Sequence, residues 1–514
     1  MNQPVWTGDL GNGNYRNPIL YSDYSDPDAI RVKDDFFMVA SSFCNTPALP
    51  LLHSKDLVNW EVVNYVMQQI PFPNYDKPAH GKGVWAPAIR YHDGVFRVVF
   101  PMPDEGIFCC SAEDPFGPWS GPVPIREGAG WIDPCPFWDD DGQAYLINGF
   151  AYSRSGIKST LHISRMKPDC SGLLDEGRHV FDGHRTQPTI EGPKLYKRNG
   201  YYYIFAPAGG VKHGWQTVLR SKSIWGPYEE KIAMFQGGTA VNGPHQGAWV
   251  TTQTGEDWFL HFQDVGACGR IIHLQPMRWT DDWPVIGSDP GDQGVGQPVM
   301  TFRKPDVGAE YPPVCPRDSD DFDRPELGLQ WQWNANFCAD WFRVGGGSLT
   351  LLAQPAECRL FDVPNLLLQK FPASDFQVVV KLDTVQLALG NTAGLMVQGS
   401  LYAGAALAKT GTGLSLVRYT GLQAEESGET RTVLAHAEIG GKLYLKLTVR
   451  DGSRCSLGCS VDGNTYLPVG EDFETGAGVW VGAKFGLFCV GEKGTGALSV
   501  DWVHVDPLET ETRR

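Results

Sequence analysis

Short aromatic strands, each entered through a turn of Asp, Asn or Gly, recur along the N-terminal three-fifths of the chain. KDDFFMVA turns at Asp34, HDGVFRVVF at Asp93 and DDGQAYLI at Asp141. RNGYYYIFA follows at Asn199, and TGEDWFLHF at Gly255. Asp-Gly and Asn-Gly supply the positive φ angles that two-residue hairpin turns need. Most of these strands are followed by a second signature: SKDLVNW at 54–60, SAEDPFGPW at 111–119, SKSIWGPY at 221–228, and the looser LQPMRWTDDW at 274–283. Five units of roughly 50 to 60 residues, each with several short strands, predict a five-bladed β-propeller. Hairpins in a sandwich with coincidental spacing are the competing arrangement.

The pattern changes after residue 303. RKPDVGAEYPPVCPRDSD is Pro-rich, polar and non-periodic, as a linker should be. Beyond it, LYLKLTV at 443–449 and LSVDWVHV at 498–505 alternate like half-buried strands, and DFQVVVKL at 375–382 is more continuously apolar. DGNTY at 462–466 gives one more hairpin turn, and no helical period of useful length appears. The predicted organisation is all-β: a five-bladed propeller domain over 1–303, a linker over 304–318, and a jelly-roll-like β-sandwich accessory domain over 319–514.

Composition sharpens this only at a few points. Aromatics make up 12% of the chain, with 60 Gly and 37 Pro, which favours short strands and tight turns over helices. A net charge of −16 without any basic run argues against nucleic acid or an anionic membrane as partner, and leaves neutral carbohydrate open. No apolar run of roughly 18 residues exists to span a membrane. MNQPVWTGDLGNGNYRNP lacks the basic-then-apolar order of a signal peptide, so a cytoplasmic location is expected, though a removed leader would look the same. The 12 Cys are scattered; Cys455 and Cys459 are close but lack neighbouring metal ligands, and reduced thiols are expected.

The repeat also locates candidate chemistry. Eight positions before Asp34 stands Asp26; eight before Asp93 is Trp85; eight before Asp141 is Asp133; eight before Asn199 is Glu191. His245 lies ten before Gly255. Equal phase in successive blades means equal radial position, so these five side chains should converge on the axis. Crowding three carboxylates is costly unless they are used or screened. Two carboxyl groups facing across a sugar are the working parts of most glycosidases, and a third can tune the acid. Each Asp-Pro or Glu-Gly-Pro piece could singly be a turn cap; three in register favour a site. Asp23 and Asp28 fall outside the register and read as loop or neighbouring-strand residues.

At these residues the sequence resembles glycoside hydrolase family 43. NPIL with DPDAI, WAPAIRYHDG, IDPCPFWDDDGQAYL, EGPKLYKRNGYYY, GPHQGAWV and GRIIHLQPMRW match its ordered signature blocks over residues 15 to 303. The resemblance implies a five-bladed propeller and hydrolysis with inversion. It implies Asp26 as general base, Glu191 as general acid and Asp133 as the modulator of the acid's pKa. Trp85 matches a sugar-stacking tryptophan. Phe43, in SSFCN, matches a subsite aromatic, though it could be core. Arg270 resembles an arginine that binds sugar hydroxyls, though a surface ion pair would read alike. His245 matches a histidine near the centre, beside a calcium or water site, though a satisfied interior imidazole would read alike. Asp28 stands where many relatives carry a small residue.

The resulting expectation is an exo-acting glycosidase releasing terminal β-D-xylose from xylooligosaccharides or arabinoxylan-derived substrate. The alternative is an α-L-arabinofuranosidase, or both activities in one pocket. A non-catalytic sugar-binding propeller would be expected to have lost a carboxylate. No cofactor is required; a structural calcium held through water at His245 needs oxygen ligands to join it. The C-terminal sandwich could close the pocket with a loop, bind sugar or simply pack, and a homo-oligomer is left open.

Overall fold

The computed structural model describes residues 5–356, 359–437 and 441–508, with side chains of 435–437 excepted. Five four-stranded antiparallel sheets follow one another along the chain. The first contains Asp28–Val32, Asp35–Val39, Ala48–Ser54 and Trp60–Met67; the second, Ala88–His92, Val95–Met102, Gly106–Ala112 and Val123–Glu127. The third contains Trp131–Trp138, Ala144–Phe150, Thr160–Met166 and Arg178–Asp182. The fourth contains Lys194–Arg198, Tyr201–Ala208, Trp215–Ser221 and Glu229–Met234; the fifth, His245–Thr251, Asp257–Asp264, Arg270–Thr280 and Trp283–Ile286. The first strands of neighbouring sheets touch, with Asp28–Val32 against both Ala88–His92 and His245–Thr251, so they ring a common axis. This is a five-bladed propeller.

Turn chemistry sets these blades. Asp93–Gly94 and Asn199–Gly200 both carry positive φ at two successive residues (50° and 80°, 51° and 71°), the geometry that keeps the flanking strands twisted together. In the first blade the left-handed residue is Lys33, one position before Asp34. The ring is closed by Asn14–Arg16 pairing with Thr301–Arg303. Phe36, Trp60, Trp258 and Phe262 pack in one buried cluster across the junction of the first and fifth blades.

Asp28 is part of this scaffold. It is fully buried, and its Oδ2 accepts from the Ile89 backbone N–H at 2.9 Å and from Arg90 Nη1 at 2.6 Å. Arg90 Nη2 lies 2.9 Å from Cys135 Sγ, and its guanidinium stacks 5.5 Å from the Tyr196 ring. One guanidinium therefore joins elements of four blades.

Residues 304–319 carry no helix or strand. Beyond them a seven-stranded and an eight-stranded antiparallel sheet pack face to face. Phe376–Asp383, which reads as a near-continuous apolar run, alternates: Phe376, Val378, Val380 and Leu382 enter the core while the residues between them lie at the surface side. The sandwich docks on the propeller through backbone pairing of Thr46 with Trp333, and through the Ser22 hydroxyl donating to the Phe371 carbonyl at 3.0 Å. The described cysteines are all free.

Candidate active site

A cavity of about 360 Å³ opens at the propeller axis. Asp26, Phe43, Trp85, Asp133, Glu191, His245 and Arg270 all line it, so every residue singled out from the sequence meets the others in one place. Their backbones are shaped for it. Asp26, Phe43 and Asp133 adopt left-handed φ of 56°, 52° and 55°. Such conformations cost free energy in non-glycine residues and persist where the surroundings hold a side chain in a required direction.

Three donors fix Asp26. Ser25 Oγ and Ser41 Oγ donate to its Oδ2 at 2.8 and 2.6 Å, and Arg270 Nη1 donates to Oδ1 at 2.8 Å. Arg270 Nη1 also donates to Ser25 Oγ at 2.7 Å, closing a small network. The arginine expected to reach sugar hydroxyls thus directs Nη1 at the carboxylate.

Asp133 and Glu191 form the second part. Asp133 is 3% exposed, and its Oδ2 accepts from the Gly192 backbone N–H at 2.8 Å, which ties it to the residue after Glu191. Burial, and next the charge of Glu191, push the Asp133 carboxyl up to about 7, so a proton is retained in this pair near neutrality. The Glu191 side chain is 35% exposed to the cavity. His245 Nε2 lies 2.8 Å from Glu191 Oε1 and donates to it, because a carboxylate oxygen accepts.

Around the carboxylates stand rings and unpartnered polar atoms. Phe43 and Trp85 are tilted at 6.1 Å between centroids. Trp85 Nε1 and Gln246 Oε1, from two residues that line the cavity, are buried with no hydrogen-bond partner. The four-residue helix Tyr152–Ser155 forms part of the rim; its Arg154 pairs with Asp104 at 3.0 Å and lies 5.2 Å over Trp85. Trp480, from the second domain, faces Trp85 edge-on at 6.4 Å and lies 5.8 Å from the Arg270 guanidinium. Sequence reasoning missed Trp480 altogether. It also passed over Gln246, although GPHQG carries it next to His245, and Ser41, two residues before Phe43.

The donor set at His245 is poor for calcium. Nε2 is committed to Glu191, Nδ1 is a single buried nitrogen without a partner, and calcium takes six to eight oxygens. Among the described residues no group of three or more His, Cys, Asp or Glu is arranged to hold a metal ion.

The model for glycosyl hydrolases family 43 matches residues 15–284, and that for the β-xylosidase C-terminal concanavalin A-like domain matches residues 319–506. A β-xylosidase of Formosa agariphila is 31% identical over 97% of this chain and 91% of its own. A non-reducing end α-L-arabinofuranosidase of Bacteroides ovatus is 30% identical over 76% of this chain and 74% of its own. Among solved structures, the family 43 protein BlXynB of Bacillus licheniformis superposes with a TM-score of 0.82 at 26% identity, covering 96% of this chain and all of that one.

Proposed function

The chain belongs to glycosyl hydrolase family 43, and from that premise we propose that it is an exo-acting hydrolase releasing terminal β-D-xylose from xylooligosaccharides with inversion of configuration. The observation that carries this reading is the different settings of three carboxylates in one cavity: Asp26 held by three donors, Asp133 buried against the Gly192 N–H, and Glu191 open to the space. The similarity to a β-xylosidase over 97% of this chain supports the substrate class.

The chemistry follows from the placement. Asp26 takes a proton from water as the water oxygen attacks the anomeric carbon. Glu191 gives its proton to the departing glycosidic oxygen, and the bond to that oxygen breaks. A direct displacement inverts the anomeric centre. His245 holds one Glu191 oxygen and leaves the other for the leaving group. Asp133, buried beside Glu191, tunes the acid because the two carboxyls resist ionising together. Arg270 fixes the base, and Trp85 and Phe43 wall the sugar. The cavity of about 360 Å³ lies at the small end of ligand pockets, typically about 300–1,000 Å³, which suits a chain end over an internal segment.

A second reading, α-L-arabinofuranoside cleavage in the same pocket, is favoured by the similarity to an arabinofuranosidase. Neither reaction needs a cofactor, and a calcium ion would have to be held largely by water; unchanged turnover after treatment with a chelator is the expected outcome. Nitrophenyl β-D-xyloside and nitrophenyl α-L-arabinofuranoside assayed side by side decide between the readings. Faster turnover of the xyloside is expected. Cleavage of neither overturns both.

A further inference from the structure

Asp23 stands three residues before the proposed base, outside the blade register, and does not line the catalytic cavity. It is nevertheless buried, at 4% exposure. Its two oxygens accept from two backbone donors of different domains: Arg270 N–H at 2.9 Å to Oδ1 and Gly482 N–H at 2.8 Å to Oδ2. A buried carboxylate with a backbone N–H on each oxygen is a fixed point, because moving either strand strips a charge-assisted hydrogen bond in a dry setting.

Both clamped strands lead into the cavity. On the propeller side, Arg270 carries the guanidinium that holds Asp26. On the sandwich side, Gly482 follows a bend, with Gly478 N–H donating to the Val481 carbonyl at 2.9 Å, whose exposed face is Trp480. Trp480 sits at φ 64°, a strained conformation for a bulky residue, so its direction depends on how the bend is anchored. The fit is close at every point. A Cβ on Gly482 would come within 2.9 Å of Cys268 C, one on Gly269 within 2.6 Å of Asp23, and one on Gly81 within 2.4 Å of Val479. Ala483 N–H donates to the Ala267 carbonyl at 2.7 Å, continuing the docking by one residue. Two lysines of the sandwich, the half-buried Lys370 and the buried Lys484, have their pKa lowered by burial, and the Asp23 charge opposes that shift.

We propose that Asp23 is a positioning residue that couples the two domains to the site: one buried carboxylate sets Arg270, and through it the base, while fixing the Trp480 bend as the outer wall. This deepens the reading of the cavity as a glycosidase site and rests on it for its kinetic consequences. The clamp itself does not.

The test uses the full chain with Asp23→Asn, which keeps one acceptor and sets an amide N–H against the other donor, and with Asp23→Ala. Hydrogen exchange followed by mass spectrometry should show faster exchange in peptides covering 268–271 and 478–483, with the blade strands unchanged. On xylobiose, kcat/KM should fall by about ten- to hundredfold, the worth of a hydrogen bond to a charged group. Both KM and kcat should move, because wall and base are both released. Tyr65→Phe, which removes a different interdomain bond (hydroxyl to the Leu329 carbonyl, 2.9 Å), should leave kcat and KM as they are. In a cycle with Trp480→Ala, the KM effects should be markedly less than additive. Wild-type exchange at both segments in Asp23→Asn, wild-type kinetics, or full additivity with Trp480→Ala would overturn the proposal. If the wild type cleaves neither glycoside, the substrate reading fails, while exchange at 268–271 and 478–483 still decides the clamp.

Discussion

Replacing Asp133 by Asn should stabilise the protein at alkaline pH while destroying its activity. Burial and the charge of Glu191 push the Asp133 carboxyl from 3.8 up to about 7. The folded state therefore binds a proton that the unfolded chain releases, and stability falls as pH rises through that window. Below about pH 4 both states are protonated and there is no penalty; above about pH 7 the penalty is complete. A rise of roughly three pKa units corresponds to about 4 kcal/mol at full development. Between pH 4.5 and pH 8 the change should be about 3 kcal/mol. Asparagine is neutral throughout and can still accept the Gly192 N–H. Urea unfolding of wild type and Asp133→Asn at the two pH values should show the variant's advantage growing by that amount. Its kcat should fall by several orders of magnitude, because Glu191 loses the carboxyl with which it shares a proton. A stability difference that is flat from pH 4.5 to 8, or a variant less stable at pH 8, would refute the assignment of a retained proton to this site.

Three further perturbations address other parts of the structure. Arg270→Lys keeps the charge but moves the donor away from where Nη1 reaches Asp26 and Ser25 together, so kcat/KM should fall by about a hundredfold; less than a threefold loss would remove Arg270 from base positioning. Trp480→Ala should raise KM for xylobiose several-fold, as expected for losing a ring contact of about 0.5–1.5 kcal/mol beyond its area, and change kcat less. An unchanged KM would show that the second domain does not contribute to the pocket wall. Arg90→Met leaves Asp28 as an uncompensated buried charge and should cost about 3–5 kcal/mol in urea unfolding. A loss under about 1 kcal/mol would show that the blade clamp is not energetically important.

The propeller was legible because its information is local. Each hairpin turn fixes two strands, and the spacing between turns repeats, so the phase of Asp26, Asp133 and Glu191 could be counted from Asp34, Asp141 and Asn199. Asp28 lies outside that register and serves the scaffold through Arg90, 62 residues on. What stayed hidden depends on docking. Trp480 reaches the cavity only because the sandwich seats on the propeller, and Asp23 joins Gly482 across 459 positions. No periodicity records such a contact. Roles were hidden for a related reason. Arg270 and His245 could be recognised as site residues, but only the folded geometry assigns Nη1 of one to Asp26 and Nε2 of the other to Glu191. The continuous apolar run at 375–382 hid an ordinary alternation, since the intervening Gln377, Val379 and Lys381 lie at the sheet's outer face.

The central claim is that Glu191 protonates the leaving oxygen and Asp26 activates water, and leaving-group dependence separates the two jobs. Xylobiose has a poor leaving group that requires the proton; dinitrophenyl β-D-xyloside has one that does not. Glu191→Ala should lose about a thousandfold or more in kcat/KM on xylobiose, within the range of general acid catalysis, and retain much of its rate on the dinitrophenyl glycoside. Asp26→Ala should be severely impaired on both. Equal losses on the two substrates in Glu191→Ala, or near-normal turnover of either by Asp26→Ala, would contradict the account.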